Sequence, residues 1–115
     1  MLRLVKAGLP TPHGCLLMYP CLAVDGLSSS PSYLNSIEDP MLPVSLLKMV
    51  AKAYVSEEFD CKKDPFISPI YASDDLLQKL PPIRIVVGTE DPLYDDNWKF
   101  VYKLRYSIWW LNKQH

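Results

Sequence analysis

Eleven prolines stand against four glycines in this chain, and no other feature limits its folding choices more. Each proline fixes its own φ and removes a backbone donor, so the ratio predicts frequent turns and excludes long uninterrupted helices. Between those breaks lie two short apolar runs, Gly14 to Tyr19 (GCLLMY) and Ile83 to Gly88 (IRIVVG), each bounded by Gly or Pro. Such runs have the pattern of strands buried on both faces, as in a parallel sheet. Two strands do not make a stable parallel sheet alone, so they call for neighbours.

The 115 residues amount to one domain or a piece of one. Twelve Lys plus Arg against thirteen Asp plus Glu leave a net charge of −1. That balance argues against nonspecific nucleic-acid binding, which needs a basic excess. A hydrophobic fraction of 49% with 22% charged residues is globular. No apolar run reaches the length of a transmembrane helix. Arg3 and Lys6 before the run from Cys15 to Val24 imitate a signal peptide. Pro20 in mid-run and Asp25 at its end speak against cleavage, and a buried strand ending at Pro20 explains the same letters. Cys15, Cys21 and Cys61 fit neither a zinc pair nor a disulfide framework, and read as reduced thiols of an intracellular protein. The absence of an Asn-x-Ser/Thr sequon is consistent with that.

Along the chain, Leu2, Leu4 and Val5 suggest the end of an amphipathic helix, with Gly8 past its C-terminus and Pro10 and Pro12 forbidding continuation. Asp25 to Pro31 reads as a loop, with Ser28, Ser29 and Ser30 as polar loop residues. Asp39-Pro40 and Pro43 suggest helix starts. Val44 to Val55 follows as a helix with Leu47, Val50, Ala51 and Tyr54 on one face. Ser56 to Pro65 reads as a loop. Ser73 is the expected cap of a helix from Asp74 to Leu80. Asp95 or Asp96 is the expected cap of a last helix, Asp96 to Leu111, whose buried stripe is Trp98, Val101, Leu104, Ile108 and Leu111. The order predicts an α/β fold.

In an open α/β sheet, functional groups collect in loops at the carboxyl ends of strands. The loop after Ile83–Gly88 offers Glu90 and Asp91, with Asp95 and Asp96 close behind. Asp95 and Asp96 read as helix caps and Glu90 as solvated. For Asp91, composition leaves two roles open: a solvated carboxylate, or an acid that orients a histidine and stabilises its imidazolium. A hard-cation site from the four carboxylates matches no calcium-loop spacing. Of the two histidines, His13 precedes a strand, at the end of the sheet away from that loop, and His115 ends the chain. No GxSxG elbow, HGGG-type run or glycine-rich phosphate loop occurs.

The segments SPSYLNSIEDPMLPVSLLKMVAKAY (Ser30 to Tyr54) and DPFISPIYASDDLLQKLPPIRIVVGTEDPLYDD (Asp64 to Asp96) resemble the hormone-sensitive lipase family of the α/β-hydrolase fold. The resemblance spans roughly Leu2 to Arg105 and is closer to that family than to generic esterases. It implies a single partial α/β-hydrolase domain over 1–115, with two parallel sheet strands and flanking helices. A cap-region insertion would lie at about 26–66 and an acid-bearing strand, loop and helix at about 83–111. Asp91 would be the acid of a Ser–Asp–His triad. Leu2 to Ala7 would be the tail of the helix that begins at the nucleophile, placing that serine upstream of Met1. The family's histidine follows a further strand, so the role does not pass to His115. Both ends look cut from a larger enzyme.

The implied function is serine ester hydrolysis of acylglycerols or cholesteryl esters in lipid catabolism, without metal or cofactor. The implied setting is cytosolic, with a lipid-droplet surface as a further partner and neither nucleic acid nor a transmembrane segment. The alternatives are an inactive truncated module that binds lipid or another chain, and a truncated product with no function.

Overall fold

The computed structural model describes residues 1–24 and 30–113, with the side chains at 110 and 111 outside that set. Ser28, Ser29 and His115 therefore lie outside the described residues. In chain order the elements are α1 (Leu2–Lys6), β1 (Cys15–Met18), α2 (Pro31–Asn35), α3 (Val44–Tyr54), a 3-10 turn (Pro69–Tyr71), α4 (Asp74–Leu77), β2 (Ile83–Val86) and α5 (Tyr94–Lys113).

β1 and β2 pair in parallel, with Cys15 opposite Ile83 and Met18 opposite Val86. The ladder extends at both ends, through Cys15 N–H to Pro82 O (2.9 Å) and Tyr19 N–H to Val86 O (2.8 Å). It stops there because Tyr19 turns into the left-handed region at φ +50°. Val87 and Gly88, read from the sequence as strand, thus have no partner on β1. Double-sided burial is not seen either. Cys15, Leu17, Ile83 and Ile85 face inward and are half-buried, whereas Leu16, Met18, Arg84 and Val86 are exposed.

The inward face meets one apolar cluster of Leu2, Leu22, Ala72, Leu77, Phe100 and Leu104, with Ile83 and Ile85 packed against it. Helices α1, α4 and α5 therefore share one side of the sheet. Full burial of a side chain such as Leu77 or Phe100 contributes about 1.5–3 kcal/mol each.

The proline argument against long helices fails at the C-terminal end. All eleven prolines lie between Pro10 and Pro92. The proline-free remainder forms α5, an uninterrupted helix of 20 residues. Its buried side also differs from the expected stripe. Asp96, Asn97, Phe100, Leu104 and Ser107 are buried, while Trp98 and Ile108 are exposed and Val101 is intermediate; the side chain of Leu111 lies outside the described residues. Most of their polar groups can be buried because they are partnered; Asn97 Oδ1 is the exception, buried with no hydrogen bond among the described residues. Ser107 Oγ donates to Asp74 Oδ1 at 2.6 Å, and Asn97 Nδ2 donates to Pro20 O at 3.1 Å.

Three smaller differences concern helix starts. Asp39 opens a turn, its Oδ1 accepting the Met41 and Leu42 amides at 2.8 and 2.7 Å, and not a helix. Ser73 holds the N-cap position of α4 without a side-chain cap bond, and the helix ends at Leu77. The short α2 begins on Pro31 at its first turn, where the sequence reading places the end of a loop.

Candidate active site

β2 ends at Val86, and its loop leads through Gly88 and Asp91 into α5. The loop is closed by its own hydrogen bonds. Asp91 N–H donates to Gly88 O (3.2 Å), and Tyr94 N–H donates to Asp91 O (3.0 Å). Asp91 Oδ1 accepts the Leu93 amide at 2.7 Å, an Asx-type turn that holds the carboxylate over the helix start. Its second oxygen, Oδ2, takes no hydrogen bond among the described residues. Asp91 is half-buried. A β-carbon placed on Gly88 would lie 4.0 Å from both the Asp91 Cβ and the Tyr19 ring, so these three residues form one surface at the carboxyl end of the sheet.

The two acids read as caps have other work. Asp95 Oδ2 accepts the Ser32 amide at 2.8 Å. Ser32 Oγ donates to Pro92 O at 3.0 Å and accepts the Asp95 amide at 3.2 Å. These three bonds tie α2 to the loop that carries Asp91. Asp96 is buried and pairs with Lys99 at 3.5 Å. Both still sit in the first turn of α5, where negative charge is favoured by the helix dipole. Glu90 is exposed, as expected of a solvated side chain. Among the described residues, no group of three or more His, Cys, Asp or Glu side chains is arranged to hold a metal ion.

The Ser32 tether was not visible in the sequence, because its partners lie 60 and 63 residues away. His13 is exposed and precedes β1, at the opposite end of the sheet from Asp91. Cys15, Cys21 and Cys61 form no disulfide among the described residues.

A cavity of about 410 Å³ lies between α3 and the start of α5. Leu47, Val50, Ala51 and Tyr54 of α3 line it together with Tyr33, Phe66 and Ile67. The face read from the sequence as the apolar side of α3 therefore borders a cavity, and only Val44 of this helix is buried. Leu93, two residues after Asp91, and Asp96 also line it. Burial, then the nearby Cys21 and Asp96, push the Tyr33 phenol above its usual range. A larger hollow of about 890 Å³ lies along α3 and residues 55–62, and none of the Asp91 loop lines it.

What the arrangement offers is a carboxylate at the end of a strand, oriented by one backbone bond, beside an apolar cavity under two helices. Chains of known kind are similar to this one in sequence and in fold. A family model described as alpha/beta hydrolase fold matches residues 1–108. An esterase of Acinetobacter venetianus is 32% identical over 99 residues, 86% of this chain and 31% of that protein. A hormone-sensitive lipase of Ictidomys tridecemlineatus is 46% identical over 43 residues, 37% of this chain and 6% of that protein. The chain thus spans at most about a third of these relatives. Among solved structures, a thermostable esterase from Pseudomonas putida superposes with a TM-score of 0.82 at 24% identity, covering 92% of this chain and 32% of its own. Carboxyl esterase 2 from Tuber melanosporum gives 0.80 at 26%, covering 92% and 34%. Among the described residues, no helix is long and apolar enough to cross a membrane. With two parallel strands, helices on one face and a family match over nearly its whole length, the chain belongs to the α/β-hydrolase fold family.

Proposed function

We propose that these residues supply the acid and the cap of a serine ester hydrolase that acts on acylglycerols or cholesteryl esters. In this reading Asp91 is the triad acid. Its Oδ1 is held by the Leu93 amide, and Oδ2 accepts the N–H of a histidine on an element outside these 115 residues. The carboxylate fixes the tautomer of that histidine and stabilises the imidazolium formed when a serine attacks the ester carbonyl. The serine likewise comes from outside, since the sequence has no GxSxG run. Helices α2 and α3, within a cap at about 26–66, roof the 410 Å³ cavity, whose apolar walls suit an acyl chain. Cysteines outside any disulfide suit a cytosolic setting, where long-chain esters are met at a lipid-droplet surface.

The observation that carries the reading is the placement of Asp91, at a strand's carboxyl end with one oxygen bound and the other open. The lipase is favoured over the esterases on the SPSYLN and DPLYDD segments. The test joins residues 1–105 to the serine-bearing and histidine-bearing segments of the Acinetobacter esterase. The chimera should hydrolyse acylglycerol and cholesteryl esters in preference to short-chain nitrophenyl esters. Preference for the short esters would reject the lipid substrate class.

A second reading has one observation in its favour. Leu16, Met18 and Val86 are exposed together on one sheet face, as in a module that docks on another chain rather than catalyses. Recovery of the chain with a stoichiometric partner, and no activity in the chimera, would favour it.

A further inference from the structure

The outer side of α5 is unusual for a helix of a globular protein. Its buried side includes Asp96, Asn97 and Ser107, while Trp98, Tyr102, Tyr106 and Trp109 are exposed. Tyr102 is 65% exposed and Trp98 43%, so these are not rings tucked into a groove. The rings form a ladder along the helix. Trp98 and Tyr102 have centroids 5.8 Å apart, and Tyr106 and Trp109 are 6.4 Å apart. From Trp98 to Lys113 the strip runs roughly 22 Å at the rise of an α-helix.

Beyond the first turn of α5, which holds Asp95 and Asp96, the charges beside it have one sign. Arg105, Lys99 and Lys113 are exposed on this side, and beyond Asp96 the helix carries no carboxylate. Lys99 shares its charge with Asp96, and the Lys113 ammonium sits 4.1 Å above the Trp109 ring. A protein-binding hot spot is a compact cluster inside a polar rim. A linear strip of Trp and Tyr flanked beyond its first turn by cations is the composition of a helix lying in a lipid headgroup layer. The location fits as well. α5 packs its Phe100 and Leu104 toward the sheet, so its outer side faces away from the sheet.

We propose that the outer side of α5 docks on a phospholipid surface with anionic headgroups. The rings sit at headgroup depth, and Arg105 and Lys113 meet the phosphates. This does not depend on the role of Asp91, and its test needs no catalysis.

The purified 115-residue chain is mixed with phosphatidylcholine vesicles, with or without about 30% phosphatidylserine. Tryptophan emission and co-sedimentation report binding. Binding to the anionic vesicles should be at least ~fivefold tighter, with a blue shift, and should weaken with added salt. Arg105→Glu should weaken it by ~fivefold or more. Tyr102→Ser with Trp109→Ser should weaken it at least ~tenfold. Met18→Lys, on the bare sheet face, should leave it unchanged, and circular dichroism checks that each variant keeps its helices. The wild-type preference for anionic vesicles needs no variant. No binding, equal binding to both vesicle types, or loss in Met18→Lys with retention in the α5 variants would overturn the proposal.

Discussion

Ser32→Ala removes two of the three bonds between α2 and the Asp91 loop. The Ser32 Oγ bond to Pro92 O (3.0 Å) and the Asp95 amide bond to Ser32 Oγ (3.2 Å) are lost. The bond from the Ser32 amide to Asp95 Oδ2 (2.8 Å) remains. A typical intramolecular hydrogen bond contributes about 0.5–1.5 kcal/mol net, so two give about 1–3 kcal/mol. Asp95→Ala removes the third, charge-assisted bond and should cost about 1.5–3 kcal/mol. Because both variants sever one link, the double variant should cost less than the sum, with a coupling of at least ~0.5 kcal/mol. Urea denaturation of the four proteins gives the cycle, and amide exchange of Leu93, Tyr94 and Asp95 reports whether the acid loop loosens. Strictly additive costs, or a Ser32→Ala change below about 0.3 kcal/mol, would mean that the tether does not hold the loop.

Two further outcomes are expected. Leu77, fully buried in the cluster under the sheet, should cost about 2–5 kcal/mol on change to Ala; an equilibrium unfolding curve displaced by less than about 1 kcal/mol would show that the cluster is not the core. The 115-residue chain alone should neither turn over a nitrophenyl ester nor label stoichiometrically with a serine-reactive phosphonate; labelling of any serine, with turnover lost, would reveal a nucleophile in these residues.

Much of the frame was legible in the letters. GCLLMY and IRIVVG mark the two strands, since β-branched and apolar runs between Pro and Gly have few other uses. Helices α3 and α5 follow from periodicity, and α5 runs two residues further at each end than expected, with no proline after Pro92 to interrupt it. Periodicity placed Leu104 in the buried side of α5 but missed most of the rest of that side. It assumes that apolar residues go inside, but Asn97 and Ser107 go inside with partners at Pro20 and Asp74, distant in sequence. Helix α2 was missed because five residues opened by Pro31 carry no period to detect. Asp91 could be singled out by its place after a strand. The work of Asp95 could not, since capping and tethering use the same side chain and only the fold brings Ser32 to it.

The central claim is that Asp91, and no other acid of its loop, orients a catalytic histidine. The most direct measurement is ester turnover by the chimera with Asp91→Asn, beside Asp95→Asn and Asp96→Asn. Asn at 91 keeps the shape of the side chain and its bond from the Leu93 amide, so folding should be nearly intact. Turnover should nevertheless fall by about 10³–10⁴-fold, as for a histidine held in the wrong tautomer. Asn at 95 can still accept the Ser32 amide and should cost far less, as should Asn at 96. A mild effect at Asp91 with a severe one at Asp95 would contradict the assignment.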